Sequence, residues 1–319
     1  MIPRWIDAKT VERLTPFGPL MDWLEARHRE PPAKTERVLM QDESRTGPPN
    51  AFLTLPAWAP GAAMGVKIAT VFPQNEEETD GPPTVQAVYQ LFDGRDGRPA
   101  ALIDGTMMTL RKTAADSALG ARLLAPARPA RLLMVGAGSL CRHLIEAHRA
   151  ARPSLTQIAI WNRTPARSAE KAAALRAEGV AAEATTDLEA AARAADVICC
   201  ATMSDRPLIL GDWLKPGCHL DLVGGYTPAM READDAAAAR ARIFVDSRPF
   251  TLGCVGDLTQ PMAAGVVDER DVLADLYQLA QGAHPGRGDD AAAVTLFKNG
   301  GGGHLDLMTA RFVAAAASG

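Results

Sequence analysis

Gly136-Ala137-Gly138 follows the apolar run RLLMV (131–135) and leads into SLCRHLIEAHRAA, giving a strand, a glycine loop and a helix in succession. Such a succession is built to hold a dinucleotide. The first glycine makes the tight turn, and the second lets backbone approach a pyrophosphate. The helix start then offers N–H groups and a positive dipole end to the phosphates. Cys141 stands in place of the fingerprint's third glycine and is small enough for close helix–strand packing. Gly136, Ala137, Gly138, Ser139 and Leu140 are therefore candidate cofactor-binding residues. The next apolar run, QIAIW (157–161), ends in Asn162-Arg163-Thr164, where an NAD enzyme normally offers an acid to the ribose 2′-OH. No acid is there. Neutral donors and a guanidinium, with Arg167 one helical turn on, suit a 2′-phosphate, so NADPH is the expected cofactor, with NADH possible.

Two further groups sit where apolar runs end: Thr202, the last residue of DVICCAT, with Met203 and Ser204 after it, and Val223, Gly224 and Gly225 in HLDLVGG. Open α/β sheets bind ligands beyond the carboxyl ends of their strands, so these residues are expected to touch the cofactor. Lys67 interrupts the apolar run MGVKIATVF. An inward lysine on a strand is costly unless it meets an anion, which marks Lys67 as a candidate site residue.

The elements that must position these residues fall into two sets. From Arg37 to Ile103 short β-type runs follow one another without helices between them: RVLMQ, AFLTL, MGVKIATVF, VQAVYQLF and PAALI. DGRDGRP between the last two favours a tight hairpin, and the cluster reads as a mostly antiparallel α+β unit preceded by two short helices. TLRKTAADSALGARLLAP is a helix stopped by Pro126. After it, strands and Ala-rich helices alternate through RIFVD, with PAMREADDAAAARA read as the last helix of the series. Strict alternation means a parallel sheet covered on both faces. The tail AAVTLFKNGGGGHLDLMTARFVAAAA breaks the alternation and ends in an amphipathic helix. The expected fold class is α/β, with a Rossmann-type parallel-sheet domain (126–293) inserted into a mixed α+β domain made of 1–125 and 294–319.

Composition excludes several classes. Over 319 residues, 47% hydrophobic and 23% charged with a net charge of −4, nothing attracts a polyanion or an acidic membrane surface. Nucleic-acid and membrane partners are therefore not expected. The five cysteines, Cys141, Cys199, Cys200, Cys218 and Cys254, lack paired CxxC spacing, and His143, His148 and His219 have no Cys or acid partner at ligand spacing. No metal site is expected. The N-terminus carries charges throughout, unlike a signal peptide, and the chain is expected to be soluble and cytoplasmic.

Taken together, GVKIATVFPQN (65–75), ALIDGTMMTLRKTAADSA (101–118), VGAG (135–138), WNRT (161–164), ADVICCATMSDRPLILGDWLKPGCHLDLVGG (195–225), RE (231–232), VDSR (245–248), GD (256–257) and TLFKNGGGGHLD (295–306) resemble the ornithine cyclodeaminase/mu-crystallin family. The resemblance covers nearly the whole chain in order. It implies a substrate and dimerisation domain built from both chain ends, hence a homodimer, and an NAD(P)-dependent reaction at a C–N bond. It also assigns roles. Lys67 matches the family's strand lysine, which contacts the substrate carboxylate or the imine; Arg37 matches its early carboxylate-binding arginine; Asp306 matches an acid that orients the imine or amine.

Two positions depart from the family pattern. Where an arginine usually precedes Thr-Ala-Ala, this chain has Lys112, with Arg111 one residue earlier, a displacement of about 100° around a helix. Either Lys112 clamps the substrate or the site has changed. Tyr226 stands where true cyclodeaminases place an aspartate that activates water. Members that reduce imines also lack that aspartate, so the resemblance favours a reductase of a small cyclic 2-imino acid such as pyrroline- or piperideine-2-carboxylate. A cyclodeaminase or alanine-type dehydrogenase, and a non-catalytic mu-crystallin-like protein that binds small ligands, are the alternatives. Gly300–Gly303 is read equally as a loose helix lead-in or as backbone brought close to a ligand.

Overall fold

The β-type runs ahead of Asp104 pair into one sheet and the Val/Ile/Leu runs after Arg131 into another. They are seen in a computed structural model that describes residues 4–42, 49–77 and 81–318. The chain divides into two units, Met1–Lys112 with Gly302–Gly319 and Thr113–Gly301, so the second is inserted into the first.

Among the described residues the first unit holds strands β1 (Arg4–Ile6), β2 (Lys34–Thr35), β3 (Val38–Asp42), β4 (Asn50–Ala59), β5 (Ala63–Val71), β6 (Val85–Asp93) and β7 (Pro99–Asp104). Their order is β1-β7-β6-β5-β4-β2, with β3 also on β4. β1 runs parallel to β7 and the other pairs are antiparallel. β5 shows why alternation carries information: Ala63, Gly65, Lys67 and Ala69 are buried while Met64, Val66, Ile68 and Thr70 are not. Helix Gly303–Ser318 packs on β4, β5 and β6 and on helix Phe17–His28. Its Leu307, Ala310 and Val313 join Tyr89, Leu91 and Ile103 in the core.

The second unit holds β8 (Arg131–Val135), β9 (Gln157–Trp161), β10 (Ala182–Thr185), β11 (Val197–Cys200), β12 (His219–Leu222), β13 (Arg242–Val245), β14 (Val272–Asp275) and β15 (Thr295–Lys298). The order is β10-β9-β8-β11-β12-β15-β13-β14, parallel throughout. Leu133, Val135, Ile198, Leu220, Leu222, Ile243, Val245 and Leu296 fill its core.

Three readings of the sequence are corrected here. β10 and β14, partly exposed strands at the two edges of the sheet, and β15, in the tail beyond the alternating series, were not expected from the sequence. β15 also moves the domain limits: 295–298 lies between β12 and β13 in the parallel sheet, so the boundary falls after Gly301 and not at 293/294. At the other end it falls after Lys112 and not at 125/126. Ser117 donates to Asp221 of β12 at 3.1 Å, and the helix leaves room at Gly120 for the Phe297 ring. Third, only Asp235–Arg240 of the expected helix 228–241 forms. Upstream of it the Glu232 carbonyl accepts from Leu208 N and Ile209 N, which diverts the backbone from helical pairing.

Candidate active site

Lys67 enters the first unit's core from β5, whose period of two turns it inward. Asp306 comes from the first turn of helix Gly303–Ser318, and Lys112 from helix Gly105–Leu124. The three side chains converge. Lys67 Nζ lies 2.9 Å from Asp306 Oδ2, and Lys112 Nζ lies 3.0 Å from Oδ1. Lys112 also approaches the Gly302 carbonyl at 3.4 Å. All three are buried. Burial would raise the Asp306 carboxyl, but Lys112 and Lys67 outweigh it and hold the group below the usual carboxylate range. For Lys67 burial wins: it lowers the proton affinity, Asp306 opposes this, and Lys112 adds to it.

Tyr89 and His304 border this cluster and were not singled out from the sequence. Tyr89 is fully buried, and its phenol is pushed well up by burial and then by Asp306. Its ring needs Gly65, since a Cβ there would lie 2.6 Å from Tyr89 Cε1 and 2.8 Å from the Gln90 carbonyl. Gly65→Ala is therefore expected to destabilise the protein by about 1–3 kcal/mol, read as a lower urea midpoint with unchanged slope. An unchanged midpoint would show that Tyr89 can move aside. His304 is kept neutral by burial, helped by His28 and Lys112, and meets the His28 ring edge-on at 6.2 Å. Tyr89 is hidden in the apolar alternation of β6, and His304 in the helix that follows the glycine run.

Arg111 and Arg37 do not join the cluster. Arg111 is buried elsewhere: Nε donates to Thr15 Oγ1 at 3.1 Å, and the guanidinium lies 3.5 Å from the Phe17 ring centroid. The turn of the helix separates it from its neighbour, so of the two adjacent basic residues it is Lys112 that meets Asp306. Arg37 is exposed just ahead of β3, and among the described residues no contact joins it to Asp306.

In the second unit Gly136 adopts φ +111°, and a Cβ there would stand 2.6 Å from the Ala201 carbonyl. Only glycine fits. Gly138 is exposed with open space where a Cβ would be, and Ser139 precedes helix Leu140–Ala151 without capping it. No side chain caps this helix start, although Cys141 N donates to the Gly138 carbonyl at 3.1 Å, and an uncapped N-terminus after a glycine loop suits a dinucleotide pyrophosphate. Asn162 Oδ1 accepts from Ala137 N at 3.2 Å and its amide donates to the Thr164 carbonyl, so it fixes the loop while Arg163, Thr164 and Arg167 remain exposed. Thr202 and Gly224 meet on Glu232, which is fully buried and whose carboxyl burial pushes up to about 7 against the opposing Lys298. Met203 is exposed, Ser204 half-buried, Val223 buried, and Gly225 packs toward Asp257. Asp257 pairs with Lys298 at 3.0 Å, both fully inside. Asp246 accepts from Gly300 N, Gly301 N and Ser247 N, so it orders the start of the glycine run. Glu232, Asp257, Asp246 and Lys298 lie in segments that carry the family resemblance, which was the available signal.

One expectation about metals needs amending. His148, Cys199 and Asp221 offer atoms within 4.8 Å of one another, although nothing in their spacing along the chain brings them together. They come from a helix and two adjacent strands. Asp221 is already engaged, with Cys199 Sγ at 3.2 Å, His148 Nε2 at 3.3 Å and Ser117 Oγ at 3.1 Å. A buried polar knot accounts for the group. No helix among the described residues is long and apolar enough to cross a membrane.

Comparison with known proteins gives a consistent result. The model of the ornithine cyclodeaminase/mu-crystallin family matches residues 7–319. The chain is 42% identical over 295 residues to the Delta(1)-pyrroline-2-carboxylate reductase of Paracoccus denitrificans, covering 91% of this chain and 90% of that one. It is 32% identical over 231 residues to the mouse ketimine reductase mu-crystallin, covering 72% and 69%. Among solved structures, Thermococcus litoralis Delta(1)-pyrroline-2-carboxylate reductase in complex with NADH and L-proline is similar with a TM-score of 0.89 at 26% identity, covering 99% and 97%.

Proposed function

The chain belongs to the ornithine cyclodeaminase/mu-crystallin family, and on that premise we propose that it reduces the C=N bond of a small cyclic 2-imino acid, of the pyrroline- or piperideine-2-carboxylate type, with NAD(P)H. The carrying observation is the charge balance of the buried cluster. Two ammonium groups on the single carboxylate of Asp306 leave one positive charge over. Buried excess charge is costly until an anion joins it, and an imino acid brings one carboxylate. Lys67 and Lys112 then hold that carboxylate, while Asp306 accepts from the N–H of the protonated ring nitrogen, the form that takes hydride. Lys67, with its lowered proton affinity, is suited to supply the nitrogen's proton. Hydride is supplied by NAD(P)H when bound. Its pyrophosphate falls to Gly136–Leu140 and its nicotinamide half to the segments around Thr202 and Gly224. In this reading the first unit serves substrate and dimerisation and the second serves the cofactor. Tyr226, 62% exposed, puts a phenol where cyclodeaminases carry their aspartate, which disfavours cyclodeamination.

The test is NADPH and NADH oxidation, followed by absorbance, with pyrroline-2-carboxylate and piperideine-2-carboxylate. Rapid turnover of either imine supports the reading. Tight cofactor binding with no turnover of either sinks it.

NADPH preference is the finer part of the proposal and rests on Asn162, Arg163 and Thr164 with no acid beside them. Arg163→Ala is expected to lower kcat/KM for NADPH about 10- to 100-fold, the worth of a charge-assisted phosphate contact, and to spare NADH. An equal loss with both cofactors would assign Arg163 no part in the choice. A homodimer is supported by the outer face of the first unit's sheet, where Val38, Met40 and Phe52 are exposed together on β3 and β4, with Trp58 exposed farther along β4. A cytoplasmic setting belongs to the same reading, since five free thiols suit a reducing compartment.

A further inference from the structure

β11 and β12 are neighbours, Cys200 opposite Leu222, and their carboxyl ends run into Thr202 and Gly224. The strand order reverses direction between β8 and β11. β11 and β12 thus open the second mononucleotide half of the unit, the half that takes the nicotinamide end.

One carboxylate ties these two ends together. Glu232 Oε1 accepts from Thr202 N at 2.6 Å and from Thr202 Oγ1 at 2.7 Å, and Oε2 accepts from Gly224 N at 2.7 Å. The two backbones are in such close approach that a Cβ on Gly224 would stand 1.9 Å from the Thr202 carbonyl oxygen. Glu232 is itself anchored. Its N–H donates to Asp257 Oδ1 at 2.7 Å, and Asp257 pairs with Lys298 at the end of β15. The pyrophosphate loop reaches the same place, since Gly136 is pressed against Ala201, the residue before Thr202.

A buried carboxylate is an expensive way to satisfy two backbone donors that water could serve. Its gain is geometry: three donors in fixed directions hold two loops to one position. We propose that Glu232 is a positioning residue for the cofactor, acting through Thr202 and Gly224 to hold the two strand ends on which the nicotinamide half of NAD(P)H is bound. This rests on the reading of the second unit as the NAD(P)H-binding unit.

Glu232→Gln keeps the shape but turns an amide N–H2 toward a backbone N–H donor. Thr202→Val keeps the methyl and removes only the hydroxyl donor. Cofactor dissociation constants come from quenching of intrinsic fluorescence, and KM values from the imine assay. For Glu232→Gln the dissociation constant and KM of NADPH are expected to rise about tenfold or more, while the KM of the imino acid stays within about twofold. Thr202→Val is expected to move the same quantities by less, and the double variant to lose no more than Glu232→Gln alone, because both act on one link. A merely structural glutamate would raise both KM values together or lower the melting temperature with cofactor affinity intact, and either result overturns the proposal. Additive losses overturn it too. If Glu232→Gln does not fold, wild-type NADPH affinity in Thr202→Val decides against it. If the wild-type protein binds neither NADPH nor NADH, the reading of the second unit falls and the proposal with it; wild-type binding with unaffected variants removes the proposal alone.

Discussion

Lys67→Met is expected to lower kcat/KM for a cyclic 2-imino carboxylate roughly 30- to 5,000-fold, the equivalent of about 2–5 kcal/mol for removing one partner of a buried charged contact. Methionine keeps length and apolar bulk, so the β5 packing survives and only the charge is lost. Asp306 then neutralises Lys112 alone, and the cluster no longer carries the surplus positive charge that draws a carboxylate. The KM for NADPH is expected to stay near the wild-type value, which separates this effect from general damage. pH provides a second reading of the same group. Carboxylate binding needs the protonated lysine, and burial has lowered its proton affinity. Imino-acid KM is therefore expected to climb with rising pH below the ordinary lysine range of about 10.4, while the Lys67→Met profile lacks that limb. Full activity in Lys67→Met would remove Lys67 from the clamp.

Asp306→Asn is expected to cost about 3–5 kcal/mol of stability at neutral pH, because two buried ammonium groups lose their shared counter-ion. The sign follows from the shift. A carboxyl whose proton affinity is lowered in the folded protein stabilises it above its unfolded-state pKa, and that contribution is lost as pH falls through the folded value. At neutral pH the contribution is complete, so its removal is fully felt. The deficit is expected to shrink at alkaline pH, where Lys67 releases its proton and the repulsion with Lys112 ends. Urea midpoints of wild type and variant across the pH range check this. A deficit independent of pH would mean that lost packing, not lost charge, is responsible.

Local chemistry was legible in the sequence wherever a short stretch carries its own reason. Strand, Gly136-Ala137-Gly138 and helix form a complete phosphate-binding device within one run of chain. The inward position of Lys67 follows from the period of two along β5. The missing acid at Asn162-Arg163-Thr164 needs only the end of one strand to be recognised. β10 and β14 were not legible because they are partly exposed edge strands without a continuous buried run, and β15 because it enters the parallel sheet from the tail, after the alternating series has ended. Distance along the chain hid the rest. Asp306 meets Lys67 and Lys112 only because helix Gly303–Ser318 packs on β4, β5 and β6. Glu232 falls inside an expected helix until its carbonyl and carboxylate are drawn onto Ile209, Thr202 and Gly224. Arg111 and Lys112 show the division most plainly. Sequence by itself determined that two adjacent basic residues lie on one helix, pointing about 100° apart. Only the tertiary structure decided that Arg111 turns to Thr15 and Phe17 and Lys112 to Asp306, because the partners come from segments far away in the chain.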